Sequence, residues 1–186
     1  LWWAIRPAAR YPTLELRICD ACTRLADSIA IASLYRCLVR LLVRRPELAP
    51  PWTPFTRRLI DENRWRAKRF GIDAEFIALD GGKPVSCRDA VAQLVSAVEE
   101  DAEVLRCTKR LGRVRALMAE GTSAHLQLAI YRSRRARGDA PLEALRFVVD
   151  WLVAATITEP EARLDAKPEA DAAGSARSAP ALAPVV

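Results

Sequence analysis

Apolar and polar residues alternate near the start of the chain, between residues 13 and 19. A β-strand places successive side chains on opposite faces, so the apolar ones share a single face: Leu14, Leu16 and Ile18. The opposite face carries the charged pair Glu15 and Arg17, which is either an ordinary ion pair on a half-exposed strand or a site built on the sheet. A shorter apolar run at residues 2–6, followed by a proline-containing segment, predicts a second strand and hence a hairpin. We expect one face of this hairpin to be core and the other to be polar.

After the hairpin, the apolar positions recur with the period of a helix. The first helix is expected to be capped by Asp20 or Thr23 and to end near Arg44, before Pro46. Its core-facing stripe is predicted to be Ile31, Tyr35, Leu38 and Leu42. Prolines between residues 46 and 54 then predict an extended linker.

The linker leads into a second helix, which starts from Thr53 or Thr56 and stops at Gly71 after Phe70. Residues 75–87 are expected to form a short β-structure around a turn at residues 80–82. The remaining helices are predicted at 88–118, with a break near 107–112, at 123–137 and at 141–158. In the last helix the apolar residues keep helical spacing: Leu142, Leu145, Val149, Leu152 and Val153. The pattern predicts an α+β fold that is mostly helical, with antiparallel strands.

Composition changes at Glu159, where periodic apolar residues give way to Ala, Pro, Ser and charge. Residues 1–158 are therefore expected to form one globular portion and residues 159–186 a disordered tail. The 51% hydrophobic content suffices for a core. Because Arg36 and Arg40 interrupt the longest apolar stretch, we expect no membrane helix. Without a signal-peptide pattern, we expect a cytoplasmic protein.

The predicted hairpin begins almost at the first residue, which is Leu1 rather than a methionine. A lone two-stranded hairpin is marginally stable in water. We therefore expect further strands of the sheet to come from a segment upstream of this sequence.

Cysteine chemistry receives little support. The chain has five cysteines and no secretory context, which favours reduced thiols. Cys19 and Cys22 form a C-x-x-C spacing, but a zinc site needs two further ligands and the only histidine, His125, is distant in sequence. A thioredoxin-like pair would open a helix, whereas this one closes a strand.

The sequence also lacks the motifs of several other classes of enzyme and nucleotide-binding protein. The Gly81-Gly82-Lys83 sequence does not have P-loop spacing, and neither a dinucleotide fingerprint nor a G-x-S-x-G elbow is present. The whole chain carries a net charge of +6, and residues 159–186 carry five acids and three bases, so the preceding residues carry +8. These bases are dispersed among acids without a nucleic-acid motif, so we expect no nucleic-acid partner. A non-enzymatic basic helical binding module, or an inactive relative of an enzyme, remains the alternative.

Three separated motifs carry a resemblance to a known family. They are LWWAIRPAARYPTLELRICDAC, then ENRWRAKRFGIDAEFI, and then EGTSAHLQLAIYRSRRARGD followed by VVDWLVAAT. In this order they resemble the C-terminal half of the bacterial carboxylate-amine ligases, the type 2 glutamate-cysteine ligases. The resemblance implies a glutamine-synthetase-like fold, in which the polar face of a largely antiparallel sheet forms the active site.

The resemblance also implies the chemistry. Such enzymes use ATP and Mg²⁺ to convert a carboxylate, here that of glutamate, into an acyl phosphate that an amine such as that of cysteine attacks. Glu15 offers the hard oxygen ligand that Mg²⁺ prefers, and Arg17 offers a planar cation for the transferred phosphoryl group. Alternate side chains on a strand emerge about 7 Å apart, which leaves room for a phosphate.

Other site residues follow from the same motifs. Arg6 is expected to bind a substrate carboxylate, and Asn63 and Arg66 to reach the nucleotide, although Arg66 and Glu62 could equally form an i, i+4 surface pair. A homodimer is implied as well. His125-Leu126 departs from the family pattern, which has an acid and an arginine there. Because relatives draw further metal ligands from their N-terminal half, we expect this chain alone to be inactive.

Overall fold

The computed structural model describes residues 4–79 and 82–157, which contain helices and short strands. The strands are β1 (Ile5–Pro7), β2 (Leu14–Leu16), β3 (Glu75–Phe76) and β4 (Val85–Ser86). The helices are α1 (Leu25–Arg44), α2 (Pro54–Phe70), α3 (Cys87–Ala97), α4 (Glu99–Val104), α5 (Thr108–Glu120), α6 (Ser123–Ala136) and α7 (Pro141–Ile157). β1 pairs with β2, and β3 with β4, as two antiparallel hairpins. The α+β prediction is confirmed, and the glutamine-synthetase-like arrangement stays a prediction.

The ends of α2 follow the sequence signals. The Thr53 side chain accepts a hydrogen bond from the Thr56 N–H at 3.0 Å, and Pro54 occupies the first turn. At the other end Gly71 adopts a φ of 60°, a left-handed value that glycine tolerates best. The predicted bounds of α2 are confirmed.

The predicted cap of α1 is wrong. The N-cap residue is Arg24, and no side chain caps the helix. The Thr23 hydroxyl instead lies 2.6 Å from the Ser123 hydroxyl at the start of α6. The Thr23 side chain, which the local pattern predicts as the cap, therefore forms a tertiary hydrogen bond instead.

The core lies between α1, α3, α4 and α5, and the face that α1 buries differs from the predicted stripe. The buried positions of α1 are Asp27, Ala30, Ser33, Cys37 and Leu41, whereas Leu42 is 44% exposed. Small side chains at positions 30, 33 and 37 allow the neighbouring helices to approach α1 closely. Across from them, Val95, Val98 and Leu111 are almost completely buried.

Two of the buried cysteines lie in contact with each other. The Cys37 and Cys107 sulfurs lie 3.3 Å apart inside the core, and both residues are free thiols. Burial and the neighbouring thiol raise the pKa of Cys37 to about 12. At neutral pH this thiol is protonated and behaves as a small core residue.

A buried charge connects α4 to α1. Asp101 is fully buried, and its two carboxylate oxygens accept from the guanidinium groups of Arg40 and Arg44, the latter at 3.0 Å. The hydrogen bond to Asp101 raises the pKa of Arg44. Because charged groups are rarely buried without a partner, this contact fixes how α4 sits on α1.

The helical breaks lie earlier than predicted. α4 ends at Val104 and α5 begins at Thr108, so the break precedes most of residues 107–112. Arg106 holds a positive φ of 52° in this turn. A further boundary, at Val98, separates α3 from α4. Neither change is marked by proline or glycine, which explains why the sequence pattern missed their positions.

The helices α6 and α7 pack against each other. Their bounds agree with the predicted helices at 123–137 and 141–158. On α7, however, only Ala144 and Val148 are buried. Most of the apolar residues whose spacing predicts this helix are exposed.

Candidate active site

The hairpin of β1 and β2 fixes which side chains meet. In the antiparallel register Arg6 lies opposite Glu15, and Ile5 lies opposite Leu16. Directly opposed residues point to the same face of the sheet. The register therefore brings Arg6 to the face that already carries Glu15 and Arg17, as the sequence predicted for the latter two.

On this face Glu15 lies between two arginines. Its Oε2 accepts from Arg6 Nε at 2.8 Å and lies 2.6 Å from Arg6 Nη2. Its Oε1 lies 3.7 Å from Arg17 Nε. One carboxylate and two guanidiniums leave a net positive charge, which favours an anionic ligand. Since the Arg6 and Glu15 side chains are 48% and 44% exposed, the pair itself adds little stability.

The apolar face of the hairpin differs from expectation. The sequence predicts a core face, yet Ile5, Leu14 and Ile18 are 45%, 47% and 50% exposed. Only Leu16 is partly buried. Within the described ranges, 4–79 and 82–157, these strands pair only with each other. The described chain therefore supplies no core for this face.

Asn63 and Arg66, the other two predicted nucleotide contacts, lie on α2. Both form hydrogen bonds to the backbone of residues 75–77, which follow this helix. Asn63 is 5% exposed. Its Nδ2 donates to the Ile77 carbonyl at 2.9 Å, and its Oδ1 accepts from the Ile77 N–H at 2.8 Å. The amide thus imitates a β-strand partner for Ile77 and fastens the chain after β3 to α2.

Arg66 makes the surface pair that the sequence offered as an alternative. Its Nε donates to Glu62 Oε1 at 2.8 Å, one turn earlier. Its Nη1 donates to the Glu75 carbonyl at 3.2 Å. Arg66 and Asn63 therefore contact residues 75–77, whereas Arg6, Glu15 and Arg17 contact one another on the first hairpin.

We expect Asn63→Ala to lower the free energy of unfolding by about 1–3 kcal/mol, because it removes both hydrogen bonds between the buried Asn63 amide and the Ile77 backbone. Urea denaturation followed by circular dichroism measures the change. Arg64→Ala, at an exposed neighbouring position on α2, is the matched control and should change stability by less than about 0.5 kcal/mol. Equal effects of the two substitutions would contradict the proposed role of the Asn63 amide.

His125 joins the start of α6 to the turn that follows α2. The Thr122 N–H donates to His125 Nδ1 at 3.3 Å, so Nδ1 is an acceptor and the ring proton lies on Nε2. Nε2 then donates to Asp73 Oδ2 at 3.3 Å. This bond and one from Arg88 lower the pKa of Asp73. Sequence reasoning identified neither Asp73 nor Arg88, since only the tertiary fold brings them to His125.

The possible ligands among the described residues limit which kind of metal ion Glu15 could bind. Among residues 4–79 and 82–157, no group of three or more His, Cys, Asp or Glu side chains is arranged to bind a metal ion. Zinc and calcium sites usually need such a cluster of protein ligands. Mg²⁺ is compatible with a single carboxylate, because it retains waters and binds substrate phosphates.

Two further observations concern the surroundings of the site. Cys19, near the end of the first motif, is exposed, but partial desolvation and the neighbouring Cys22 raise its pKa, which disfavours the reactive thiolate. In the parts of the chain that the structure describes, no helix has the length and apolar character required to cross a membrane.

Comparison with known proteins agrees with these motifs. Residues 1–149 match the family model described as glutamate-cysteine ligase family 2. A protein of Rhodospirillum rubrum with the name "Putative glutamate--cysteine ligase 2" is 43% identical over 157 residues, which cover 84% of this chain and 40% of that relative. A protein of Ectopseudomonas mendocina with the same name is 44% identical over 168 residues, covering 88% of this chain and 43% of the relative.

A third relative of that name, from Bradyrhizobium diazoefficiens, is 40% identical over 166 residues, covering 89% of this chain and 37% of its own length. The chain thus spans about two fifths of the length of these curated relatives. Because the family model covers most of the chain, including the hairpin with Glu15 and Arg17 and the helix α2, this chain belongs to glutamate-cysteine ligase family 2.

Proposed function

We propose that the full-length protein is a cytoplasmic, ATP-dependent carboxylate-amine ligase that joins the γ-carboxyl group of glutamate to the amine of cysteine. Membership of the ligase family supports the reaction class. The observation that carries the proposal is the position of Glu15 between Arg6 and Arg17 on one face of an exposed hairpin. That face combines a hard oxygen ligand with two planar cations, which suits a metal-bound phosphate.

The proposed reaction has two steps. The γ-phosphoryl group passes from ATP to the carboxylate, forming the acyl phosphate and releasing ADP; the amine then attacks the carbonyl carbon, and inorganic phosphate and a proton leave. The protein's contribution to such chemistry is mainly positioning and charge neutralisation. We assign charge neutralisation to Arg17, whose guanidinium can offer parallel N–H donors to phosphoryl oxygens.

Glu15 is the described residue that we propose as the Mg²⁺ ligand. Mg²⁺, when bound, would offset the negative charge of the nucleotide phosphates. Oε1 is the better-placed oxygen, since Oε2 already accepts from Arg6 whereas Oε1 is 3.7 Å from Arg17. The fit requires the substrate phosphates and water to complete the coordination.

Arg6 is proposed to hold a substrate carboxylate. Two of its nitrogens, Nε and Nη2, already point at the carboxylate of Glu15. The guanidinium is therefore oriented by Glu15 and retains N–H groups for a second acceptor. In this arrangement Glu15 links the metal and the carboxylate substrate through one side chain.

The nucleotide contacts are proposed on α2, and Arg66 is the stronger of the two. Its side chain is 31% exposed, whereas Asn63 is 5% exposed and its amide binds the backbone of Ile77. A nucleotide can reach Arg66 without disturbing the fold. Contact with Asn63 would require its buried amide to keep both bonds to Ile77.

Formation of ADP by the full-length protein tests the proposed function. We expect ADP release with Mg-ATP, glutamate and cysteine together, and only background release when either the acid or the amine is omitted. Mass spectrometry should detect γ-glutamylcysteine in the complete reaction. ADP release that ignores the amine, or an absence of turnover with every acid and amine pair tried, would contradict a ligase.

The assignment of Glu15 to the metal makes a separate prediction. We expect Glu15→Gln to raise the Mg²⁺ concentration for half-maximal ADP release by about 10-fold or more, because an amide is a weaker ligand than a carboxylate. Titration of Mg²⁺ at saturating ATP measures the change. Glu103→Gln, which alters an exposed acid on α4, should leave the titration unchanged. An unchanged titration for Glu15→Gln would refute the metal assignment.

A further inference from the structure

Two cysteines that lie far apart in the sequence bring their thiols together in the core. Cys37 is in the middle of α1, and Cys107 immediately precedes α5. Their sulfurs lie 3.3 Å apart, and the two residues are 0% and 2% exposed. The bond length of a disulfide is about 2.05 Å, so the two sulfurs would need to approach by only about 1.2 Å to form one.

The backbone holds both thiols in place. Cys37 lies within a helix of 20 residues. The Cys107 N–H donates to the Ala102 carbonyl at 2.8 Å, and the Cys107 carbonyl accepts from the Arg110 N–H at 2.9 Å. The buried Asp101 fastens α4, which leads into this turn, to α1. Because the fold has already brought the two sulfurs together, a bond between them requires little further loss of conformational freedom.

Burial controls when the thiols can react. The thiolate is the reactive form of cysteine, and burial raises the pKa of Cys37 to about 12. Oxidation therefore requires a transient opening of the core, and the turn between α4 and α5 is the segment whose movement would expose Cys107. In this turn Arg106 holds a φ of 52°, a left-handed value that costs energy for a residue with a side chain. Opening of the turn relieves this cost.

We propose that Cys37 and Cys107 form a redox-sensitive site, at which a peroxide converts the two thiols into an internal disulfide that ties the start of α5 to α1. One thiolate attacks an oxygen of hydrogen peroxide and breaks the O–O bond, which leaves a sulfenic acid and, after protonation, one water. The second sulfur then displaces the hydroxyl group as another water and forms the S–S bond. In total the two thiols lose two protons and two electrons, and the peroxide becomes two waters.

The site depends on the contact between the two thiols and not on the ligase activity. The bond would link positions 70 residues apart, and a cross-link over so long a segment restricts the unfolded chain more than the folded one. The oxidised protein should therefore resist thermal unfolding better than the reduced one. A dithiol reductant, which is itself oxidised to a disulfide, reverses the bond when the core opens.

Peptide mapping of the full-length protein tests the bond directly. After exposure to hydrogen peroxide, the free thiols are alkylated with iodoacetamide and the protein is digested with trypsin without reduction. Trypsin cuts after lysine and arginine, so the two thiols lie on the short peptides 37–40 and 107–109. We expect mass spectrometry to find these peptides joined, and to find them separate after treatment with dithiothreitol.

The time course tests the role of burial. Because opening of the core limits the reaction, the rate of disulfide formation should reach a plateau as the peroxide concentration rises, whereas oxidation of the exposed Cys19 should continue to accelerate. Two thiols that are still alkylated after an exposure that oxidises Cys19 completely would overturn the proposal. Joining of Cys37 or Cys107 to any other cysteine in place of each other would also overturn it.

Thermal unfolding of the full-length protein tests the consequence of the bond. We expect oxidation to raise the midpoint temperature by about 5 °C or more, and dithiothreitol to remove the increase. Cys107→Ala should abolish the increase, whereas Cys87→Ala, which alters another buried cysteine, on α3, should retain it. An equal increase in the Cys107→Ala variant would assign the effect to other thiols and overturn the proposal. If Cys107→Ala does not fold, the peptide map of the original protein decides between these outcomes.

Discussion

Replacing Arg17 by alanine in the full-length protein is expected to lower kcat for ADP formation by about 10²–10³-fold, the usual cost of removing a group that stabilises transition-state charge. Phosphoryl transfer spreads negative charge over the transferred oxygens, and a guanidinium on the same face as the proposed metal ligand would neutralise it. Arg17 Nε lies 3.7 Å from Glu15 Oε1 and is therefore positioned beside that oxygen. Initial rates over a range of ATP concentrations separate kcat from KM.

Two further variants sharpen this expectation. Arg17→Lys keeps the charge but loses the planar fork, so kcat should recover only part of the loss. Arg10→Ala removes an exposed arginine from the loop of the same hairpin and should leave kcat within about 2-fold of the original, as exposed substitutions away from a site usually do. A loss confined to KM would show that Arg17 binds ground state and transition state equally.

The bounds of several elements could be predicted from local signals. The α2 helix begins where Thr53 caps it and ends at Gly71, and both residues act through bonds within one turn of the chain. Similarly, the first hairpin follows from the alternation of its strands and the prolines between them, although its register, with Arg6 opposite Glu15, comes from the structure. Signals of this kind depend on a few neighbouring residues, which is why a single sequence reveals them.

The tertiary face of each helix was harder to predict. The α1 helix has apolar residues on more than one side, so periodicity could not distinguish the stripe at Ile31 and Leu38 from the buried positions Ala30 and Cys37. Thr23 was expected to cap this helix, but its hydroxyl contacts Ser123, one hundred residues later. Which face of a helix is buried, and which partner a hydroxyl finds, depends on elements that are distant in sequence. A local sequence pattern does not contain that information.

The candidate site shows the same division. Glu15 and Arg17 were recognised from their alternation within a strand, and the structure brings Arg6 to them. Asn63 was recognised from its motif, but its amide contacts with Ile77 depend on the fold of residues 75–77 against α2. The apolar face of the hairpin is exposed in the described residues although its alternation predicts a core face, because a period of two shows which side chains share a face and not which distant element packs on it.

The largest effect on stability is expected at Asp101. Asp101→Ala should lower the free energy of unfolding by about 2–4 kcal/mol, because it removes a fully buried carboxylate that accepts from two arginines and leaves a cavity. The estimate is below the usual cost for breaking a fully buried pair, since Arg40 and Arg44 are each 32% exposed and can turn to water. Urea unfolding at pH 7 measures the change.

Glu100 provides the matched control for Asp101, because it is the preceding residue and contacts the same Arg44, at 3.2 Å. Its side chain is 52% exposed, so Glu100→Ala should cost less than about 0.5 kcal/mol. Asp101→Asn, which keeps the size and one acceptor oxygen, should fall between the two, since it loses charge but creates no cavity. If Asp101→Ala cost no more than Glu100→Ala, burial would not be the reason that this carboxylate matters, and the α1–α4 contact would depend on its apolar residues alone.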